Sequence, residues 1–177
     1  MEYKVAVIIP TLNEEKFIAR CLDSVIEQSY PFRDMDVMVV DGGSNDRTRE
    51  IVEEYGRKYI NIRFIHNPGR IQSIAFNIGV ENSDAPYIVR LDAHALYNKD
   101  YIEKCIAGLQ NDTQIGNVGG RCIILPFNDT LWANTNAILN YSRFGIGGSA
   151  FRVGVKPDFV DSVPFGAFPR TVFEKVG

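Results

Sequence analysis

The chain has 177 residues, 45% of them hydrophobic, so it is long enough to bury a core and is most simply one domain. Its formal net charge of -3, without any run of lysine or arginine, argues against a nucleic-acid partner. The cysteines are widely separated and no signal-peptide layout is present, so we expect a cytoplasmic protein. Because no apolar run reaches membrane-spanning length, we expect any contact with a membrane to be made by regions outside this chain.

Strand-like and helix-like segments alternate from the start of the chain to about residue 110. Apolar runs that end in polar or small residues predict strands over residues 4–9, 36–40, 61–65 and 87–92. Apolar residues at helical spacing predict helices over about 14–28, around Ile51 and Tyr55, around Ile71 and Ile78, and over about 99–109. Because such alternation with short connections is typical of parallel sheets, we expect an α/β fold with a mostly parallel sheet covered by helices.

The pattern is looser after residue 110. It predicts a strand over 117–125, a helix over about 129–142 and a short helix over 169–176. The glycine-rich stretch 144–151 is typical of a segment that folds over a ligand, and 161–168 is expected to be extended.

Three predicted strands end in residues suited to ligand binding: Pro10-Thr11, Asp41-Gly42-Gly43 and Asp92-Ala93-His94. In an open parallel sheet, ligands bind outside the carboxyl ends of the strands, so we expect the three ends to form one crevice. Residues i and i+2 on extended backbone point the same way, so Asp92 and His94 are expected to aim at one point. A carboxylate oxygen and an imidazole nitrogen there are a half-site for a divalent ion that holds a diphosphate.

Each candidate residue also has a simpler interpretation. Asp41 is suited to accept a hydrogen bond from a base or ribose, but aspartate is also a common turn former or helix cap. Arg70 is placed to meet an anionic or polar part of the same ligand, or it is a surface charge. Glu14 falls in the first turn of a predicted helix, where the helix dipole favours it. The simpler interpretation of His94 is a hydrogen-bonded residue in a polar turn, without a metal.

Several enzyme classes are excluded by missing motifs. The chain has no GxGxxG after its first strand and no GxxxxGK[ST], which argues against a dehydrogenase or an NTPase. Only two histidines occur, and His66, at the end of a strand, is interpreted as structural, so no Ser-His-Asp arrangement is supported. The segment 10–13 is not the glycine-rich, basic loop of a nucleotidyltransferase.

Four motifs, in order along the chain, resemble the family 2 glycosyltransferases. They are VAVIIPTLNE at 5–14, VVDGGSNDRT at 39–48, NIG at 77–79 and LDAH at 91–94. The resemblance implies the Rossmann-like GT-A fold and an inverting enzyme that uses a nucleotide-diphosphate sugar. The stretch 161–168 and the DAH variant are most similar to bacterial exopolysaccharide glucosyltransferases of the succinoglycan type, which implies a role in cell-envelope or exopolysaccharide synthesis.

The resemblance also implies roles for individual residues. It places the nucleoside, usually uridine, among Pro10, Thr11, Asn13, Glu14 and Asp41, and completes the donor site with Gly43, Arg70, Asp92 and Ala93. Asp92 and His94 fill the family's Asp-x-Asp position, which binds a divalent metal and the diphosphate. His94 stands where the second aspartate is more common; because histidine suits Mn²⁺ better than Mg²⁺, we expect Mn²⁺, with Mg²⁺ as the alternative.

The family's catalytic base has no clear counterpart in this chain. A carboxylate base is expected to take the proton of the acceptor hydroxyl, and in the family it lies beyond the position of Gly177; Asp161 is a weaker candidate. We therefore expect residues 1–177 to be one GT-A domain, with a nucleotide-sugar-binding half at 1–110 and an incomplete acceptor-side half at 111–177.

Two functions follow from this resemblance. The first is metal-assisted sugar transfer from a nucleotide-sugar, expected to be a UDP-sugar, to a polysaccharide or lipid-linked acceptor, with the full-length protein at the inner face of the plasma membrane. The alternative is a non-catalytic or truncated nucleotide-sugar-binding module that lacks the base.

Overall fold

The computed structural model describes residues 3–126, 128–140, 158–160 and 163–176. The chain forms two compact units, Met1–Val118 with Phe165–Gly177, and Gly119–Pro164. In its described residues the second unit has one helix, which begins after Thr130, whose hydroxyl oxygen accepts a hydrogen bond from the backbone N–H of Ala133. None of the described helices is long and apolar enough to cross a membrane.

The first unit is built on a five-stranded sheet. Its strands are β1 (Val5–Thr11), β2 (Met35–Asp41), β3 (Ile62–His66), β4 (Tyr87–Arg90) and β5 (Ala167–Pro169). The strand order is β3-β2-β1-β4-β5; the first four are parallel, and β5 is antiparallel to β4. Every residue of β1 and β2 is buried, which explains their continuous apolar runs. The predicted mostly parallel sheet is confirmed.

Helices cover both faces of this sheet. In the first unit the helices are α1 (Ile18–Ile26), α2 (Thr48–Lys58), α3 (Gln72–Glu81), α4 (Tyr101–Asn111) and α6 (Thr171–Val176). The second unit has its own helix, α5 (Leu131–Leu139). Alternate residues of β1 contribute to opposite cores. Val5, Val7 and Ile9 pack with α1, α2 and α4, whereas Ala6 and Ile8 pack with α3 and α6.

A glycine lets α3 approach β1 closely. A Cβ atom added at Gly79 would lie 2.5 Å from Cγ2 of Ile8, which is fully buried. Only a residue without a side chain therefore fits here unless Ile8 moves. This close packing places the start of α3 beside the carboxyl ends of the strands.

Some predicted bounds are wrong. The first helix begins at Ile18 rather than near residue 14, because residues 15–17 form a turn in which the N–H of Phe17 donates to the carbonyl of Glu14 (2.9 Å). The strand predicted over 117–125 is reduced to one bridge between Val118 and Ala167, and residues 119–125 form no strand. The glycine-rich stretch 144–151 and Asp161 lie outside the described residues.

Candidate functional site

A cleft of about 240 Å³ opens at the carboxyl ends of β1 and β4 and the start of α3. Its lining residues are Pro10, Thr11, Leu12, Glu14, Asn67, Arg70, Ile71, Gln72, Ala75, Asp92, Ala93 and His94. Most of the predicted donor-site residues are therefore in one place. Asn13, Asp41 and Gly43 are not among the lining residues.

Asn13 joins two loops rather than facing the cleft. Its backbone N–H donates to Oγ of Ser44 (2.8 Å), and its side-chain oxygen accepts from the N–H of Asn45 (2.9 Å). The next residue, Glu14, donates its N–H to the hydroxyl oxygen of Thr48 (2.8 Å). These bonds tie the loop after β1 to the loop before α2 and thereby set the position of Glu14. The contact of Asn13 with a nucleoside stays a prediction.

Asp46 completes the tie between the two loops. Its Oδ1 accepts from the N–H (3.0 Å) and the hydroxyl (2.5 Å) of Thr48, and its Oδ2 accepts from the N–H of Glu15 (3.1 Å). Slight burial acts to raise the pKa of Asp46, but these hydrogen bonds favour the ionised form, and the net result is a pKa below the ordinary value of 3.8. The motif around Asp46 therefore serves the architecture of the site.

The carboxylate of Asp41 is occupied by its own loop. Its Oδ2 accepts from the N–H groups of Gly43 (2.9 Å) and Ser44 (2.8 Å), and its Oδ1 accepts from the Ser44 hydroxyl. Gly43 has a φ of 88°, a conformation that favours glycine. This geometry supports the turn-forming interpretation of Asp41, and base recognition stays a prediction.

Arg70 lies against the glycine loop. Its φ is 60°, and a Cβ atom at Gly42 would come within 3.3 Å of its carbonyl oxygen. A Cβ at Gly43 would lie 3.8 Å from Nε of Arg70, so the guanidinium rests beside this glycine at the cleft wall. Among the described residues, none forms a hydrogen bond or an ion pair with this guanidinium. The two glycines thus accommodate a cation that is available to an anionic ligand.

Asn67 shapes the same wall and was not predicted from the sequence. It is 1% exposed, its Nδ2 donates to the carbonyl of Ile71 (3.0 Å), and its Oδ1 accepts from the N–H of Gly69 (3.0 Å). Its backbone N–H donates to the carbonyl of Asp41 (2.7 Å). The turn signature Asn-Pro-Gly was a signal for this role. Gln72, at the start of α3, also lines the cleft and carried no such signal.

Asp92 and His94 lie in a turn after β4. The strand ends at Arg90, and the N–H of Ala95 donates to the carbonyl of Asp92 (3.2 Å), so the predicted strand through Asp92 is too long. The two side chains nevertheless reach the same cleft. Oδ1 of Asp92 accepts from Nη2 of Arg90 (3.2 Å), and the Asp92 N–H donates to the hydroxyl oxygen of Tyr97 (2.7 Å).

The thiol of Cys21 contacts the turn that contains Asp92. It donates to the carbonyl of Asp92 at 3.5 Å. Burial, with the nearby charges of Asp92 and Glu14, raises the pKa of Cys21 to about 12. The thiol is therefore protonated at neutral pH and is not a nucleophile for covalent catalysis. Burial also raises the pKa of the Cys105 thiol, to about 11.

His94 is paired with Glu14. Its Nδ1 lies 2.9 Å from Oε1 of Glu14, and the imidazole is 59% exposed while the carboxylate is 19% exposed. The second imidazole nitrogen, Nε2, has no partner among the described residues. Glu14, after β1, and His94, after β4, are therefore a hydrogen-bonded pair at the cleft.

The donor atoms of the cleft fit a divalent ion that shares its coordination with a ligand. In the described parts of the chain, no group of three His, Cys, Asp or Glu side chains is placed to hold a metal. Asp92 keeps one carboxylate oxygen and His94 one ring nitrogen without a partner among these residues. One or two protein ligands, completed by phosphate oxygens and water, are the usual arrangement for an ion at a nucleotide.

Known proteins with similar sequences are glycosyltransferases or proteins of polysaccharide synthesis. The model of glycosyl transferase family 2 matches residues 6–177. The dolichyl N-acetyl-alpha-D-glucosaminyl phosphate 3-beta-D-2,3-diacetamido-2,3-dideoxy-beta-D-glucuronosyltransferase of Methanococcus voltae is 31% identical over 97% of this chain and 54% of its own length. The succinoglycan biosynthesis protein ExoA of Rhizobium meliloti is 31% identical over 97% of this chain and 51% of its own length. The chain spans about half the length of these relatives.

Solved structures agree on the fold. The mannosyltransferase PcManGT from Pyrobaculum calidifontis, in complex with GDP-Man and Mn²⁺, has a TM-score of 0.70 and 25% identity, over 100% of this chain and 47% of its own. TarS of S. aureus in complex with UDP-GlcNAc has a TM-score of 0.63 and 20% identity, over 99% of this chain and 47% of its own, and supports the fold alone. The sheet with helices on both faces is the GT-A fold. The chain therefore belongs to glycosyl transferase family 2.

Proposed function

We propose that the protein to which this chain belongs is an inverting, metal-assisted glycosyltransferase that moves a sugar from a nucleotide-diphosphate sugar to a polysaccharide or lipid-linked acceptor. The observation that supports this function best is the convergence of Glu14, Arg70, Asp92 and His94 on one cleft at the strand ends. The M. voltae relative, whose name specifies a dolichyl-linked sugar phosphate, and the succinoglycan relative fit such acceptors. Synthesis of an exopolysaccharide or cell-envelope polymer on the cytoplasmic side of the plasma membrane is the corresponding setting.

Asp92 and His94 are the residues that would hold the metal. An imidazole ligand favours Mn²⁺ over Mg²⁺, and the PcManGT structure is a complex with GDP-Man and Mn²⁺. When bound, the ion supplies positive charge for the departing nucleoside diphosphate. The guanidinium of Arg70 adds a second positive charge at the cleft wall. Pro10 and Thr11 line the side that we assign to the nucleoside, with uracil as the expected base.

The catalytic base is assigned to the part of the full-length protein outside this chain. Among the described carboxylates, only Glu14 and Asp92 line the cleft, and each is engaged by a neighbouring side chain. A base must reach the acceptor hydroxyl, whereas in this proposal both carboxylates serve the donor and metal site. In this proposal residues 1–110 form the donor-binding half, 111–177 begin the acceptor-side half, and the isolated chain binds donor without transferring sugar. Asp161 stays a prediction as a substitute base.

Calorimetric titration of UDP into the chain, with and without Mn²⁺, tests the donor site. We expect binding that requires Mn²⁺, is lost in Asp92→Ala and is weakened in His94→Ala. Asp100→Ala is the matched control, because this carboxylate pairs with Lys104 on the surface, outside the cleft residues. Titration of GDP in parallel tests the base: preference for GDP would overturn the uracil assignment. Failure of both nucleotides to bind with Mn²⁺ present would refute the donor site.

A further inference from the structure

The pairing of Glu14 with His94 determines which imidazole nitrogen carries the hydrogen. Nδ1 of His94 lies 2.9 Å from Oε1 of Glu14. An ionised carboxylate only accepts hydrogen bonds, so the hydrogen must reside on Nδ1. A neutral imidazole has a single N–H, which leaves Nε2 with a free lone pair. In water, neutral histidine favours the opposite tautomer, with the hydrogen on Nε2, so this contact reverses the intrinsic preference.

Glu14 is anchored well enough to impose this tautomer. The backbone N–H of Glu14 donates to the hydroxyl oxygen of Thr48 (2.8 Å), a fully buried residue. The carbonyl of Glu14 accepts from the N–H groups of Phe17 and Ile18 (2.9 Å each). The carboxylate is 19% exposed, against 59% for the imidazole of His94. The better-anchored, less exposed partner therefore orients the more exposed one.

From this geometry we infer that Glu14 is a positioning residue for the metal site: it holds His94 in the Nδ1–H tautomer, so that Nε2 is the ligating atom. The inference rests on the proposed role of His94 as a metal ligand. Carboxylate–histidine–metal arrangements fix the tautomer and orientation of the ring and increase its basicity as a ligand. Asp92 has a parallel arrangement, because Arg90 occupies Oδ1 and leaves Oδ2 for the ion.

The tautomer is measurable without any metal. In a chain labelled with ¹⁵N-histidine, long-range ¹H–¹⁵N NMR distinguishes protonated from unprotonated ring nitrogens. The chain has only two histidines, and a His66→Gln variant assigns their signals. The tautomer is read at a pH where the same spectra show one protonated and one unprotonated nitrogen in each ring. We expect His94 to carry its hydrogen on Nδ1 in the unmodified chain and to shift toward the Nε2–H form in Glu14→Gln.

Glu15→Gln is the matched control for this experiment. Glu15 is the adjacent carboxylate, but its Oε2 accepts from the backbone N–H of Arg47 (3.0 Å) and it is not a residue of the cleft. We expect this variant to leave the His94 tautomer unchanged. A His94 that carries its hydrogen on Nε2 in the unmodified chain would overturn the inference, as would an unchanged tautomer in Glu14→Ala, which removes the acceptor altogether.

Metal binding gives the second readout. Loss of an outer partner of a metal ligand typically weakens metal affinity by about 10–100-fold, and we expect this loss for Mn²⁺ in the presence of UDP in Glu14→Gln but not in Glu15→Gln. Equal Mn²⁺ affinity in all three chains would overturn the role of Glu14 while the proposed function stands. If the unmodified chain shows the Nδ1–H tautomer but binds no Mn²⁺ with UDP, the metal role of both residues fails together with the proposed donor site.

Discussion

Replacing Asp46 with alanine tests how strongly one carboxylate holds the two loops that position Glu14. The carboxylate accepts hydrogen bonds from the N–H and hydroxyl of Thr48 and from the N–H of Glu15. Thr48 is fully buried at the start of α2, so its N–H loses its acceptor in the variant. We expect lower stability and a less ordered Glu14 loop.

The expected loss of stability is about 1–2 kcal/mol. Each intramolecular hydrogen bond contributes about 0.5–1.5 kcal/mol net, which places an upper limit of about 4.5 kcal/mol on the three bonds. Asp46 itself is partly exposed, and contact with water reduces such contributions. Replacement of a capping residue by alanine typically costs about 1 kcal/mol, which sets the lower end. Asp46→Asn keeps one acceptor oxygen, so its loss should be smaller.

Urea unfolding followed by circular dichroism measures this difference, and hydrogen exchange of residues 12–18 and 44–50 reports on the loops directly. Asp100→Ala is the control, because the Asp100 carboxylate pairs with Lys104 one helical turn away (2.6 Å) and is not part of the loops that hold Glu14. We expect its unfolding midpoint to match that of the unmodified chain. Equal stability of Asp46→Ala and the unmodified chain, with unchanged exchange in both loops, would refute the reasoning.

The contribution of Asp46 should also depend on pH. Its pKa is lowered in the folded chain, so the folded state binds fewer protons than the unfolded state near the ordinary value of 3.8. The stabilisation is therefore fully present above that value and is lost as the pH falls through the lower folded-state pKa. The stability difference between the unmodified chain and Asp46→Asn should shrink in the same acidic range; a difference that grows there would contradict the sign.

Two further substitutions test the framework behind the cleft. Gly79→Ala places a Cβ 2.5 Å from Cγ2 of Ile8, and such overpacking costs about 1–3 kcal/mol. Because alanine gains only about 0.5–1 kcal/mol over glycine in helix propensity, we expect a net loss of stability in urea unfolding. This loss should diminish or reverse in an Ile8→Ala background, which removes the contact. Equal costs in both backgrounds would show that the contact is not the cause. Arg170→Lys should lower the thermal midpoint, because the guanidinium donates to the carbonyls of Ala85 (2.9 Å), Val80 (3.2 Å) and Ser83, and an ammonium does not span all three. An unchanged midpoint would remove this anchor from the account of the fold.

The sequence alone determined the local elements and their order. The buried runs of β1 and β2 are continuous because both faces of these strands are covered, and the helices that follow show apolar residues at helical spacing. Both patterns arise from contacts of nearby residues with a common core, so they can be read without a structure. The cleft at the ends of β1 and β4 was also predictable, because the carboxyl ends of parallel strands meet at one edge of a sheet, but the residues at the end of β2 that were expected there do not line it.

Only the tertiary structure decided which residues are paired and which strands extend. Glu14 and His94 are 80 residues apart, and no local pattern indicates that one imposes the tautomer of the other. Asn13 also joins a distant loop, a contact that no local pattern indicated. The run predicted as a strand over 117–125 forms a bridge at Val118, opposite Ala167, and residues 119–125 form no strand, because strand formation requires a suitably placed partner edge. Such outcomes depend on long-range contacts, which the periodicity of a sequence does not encode.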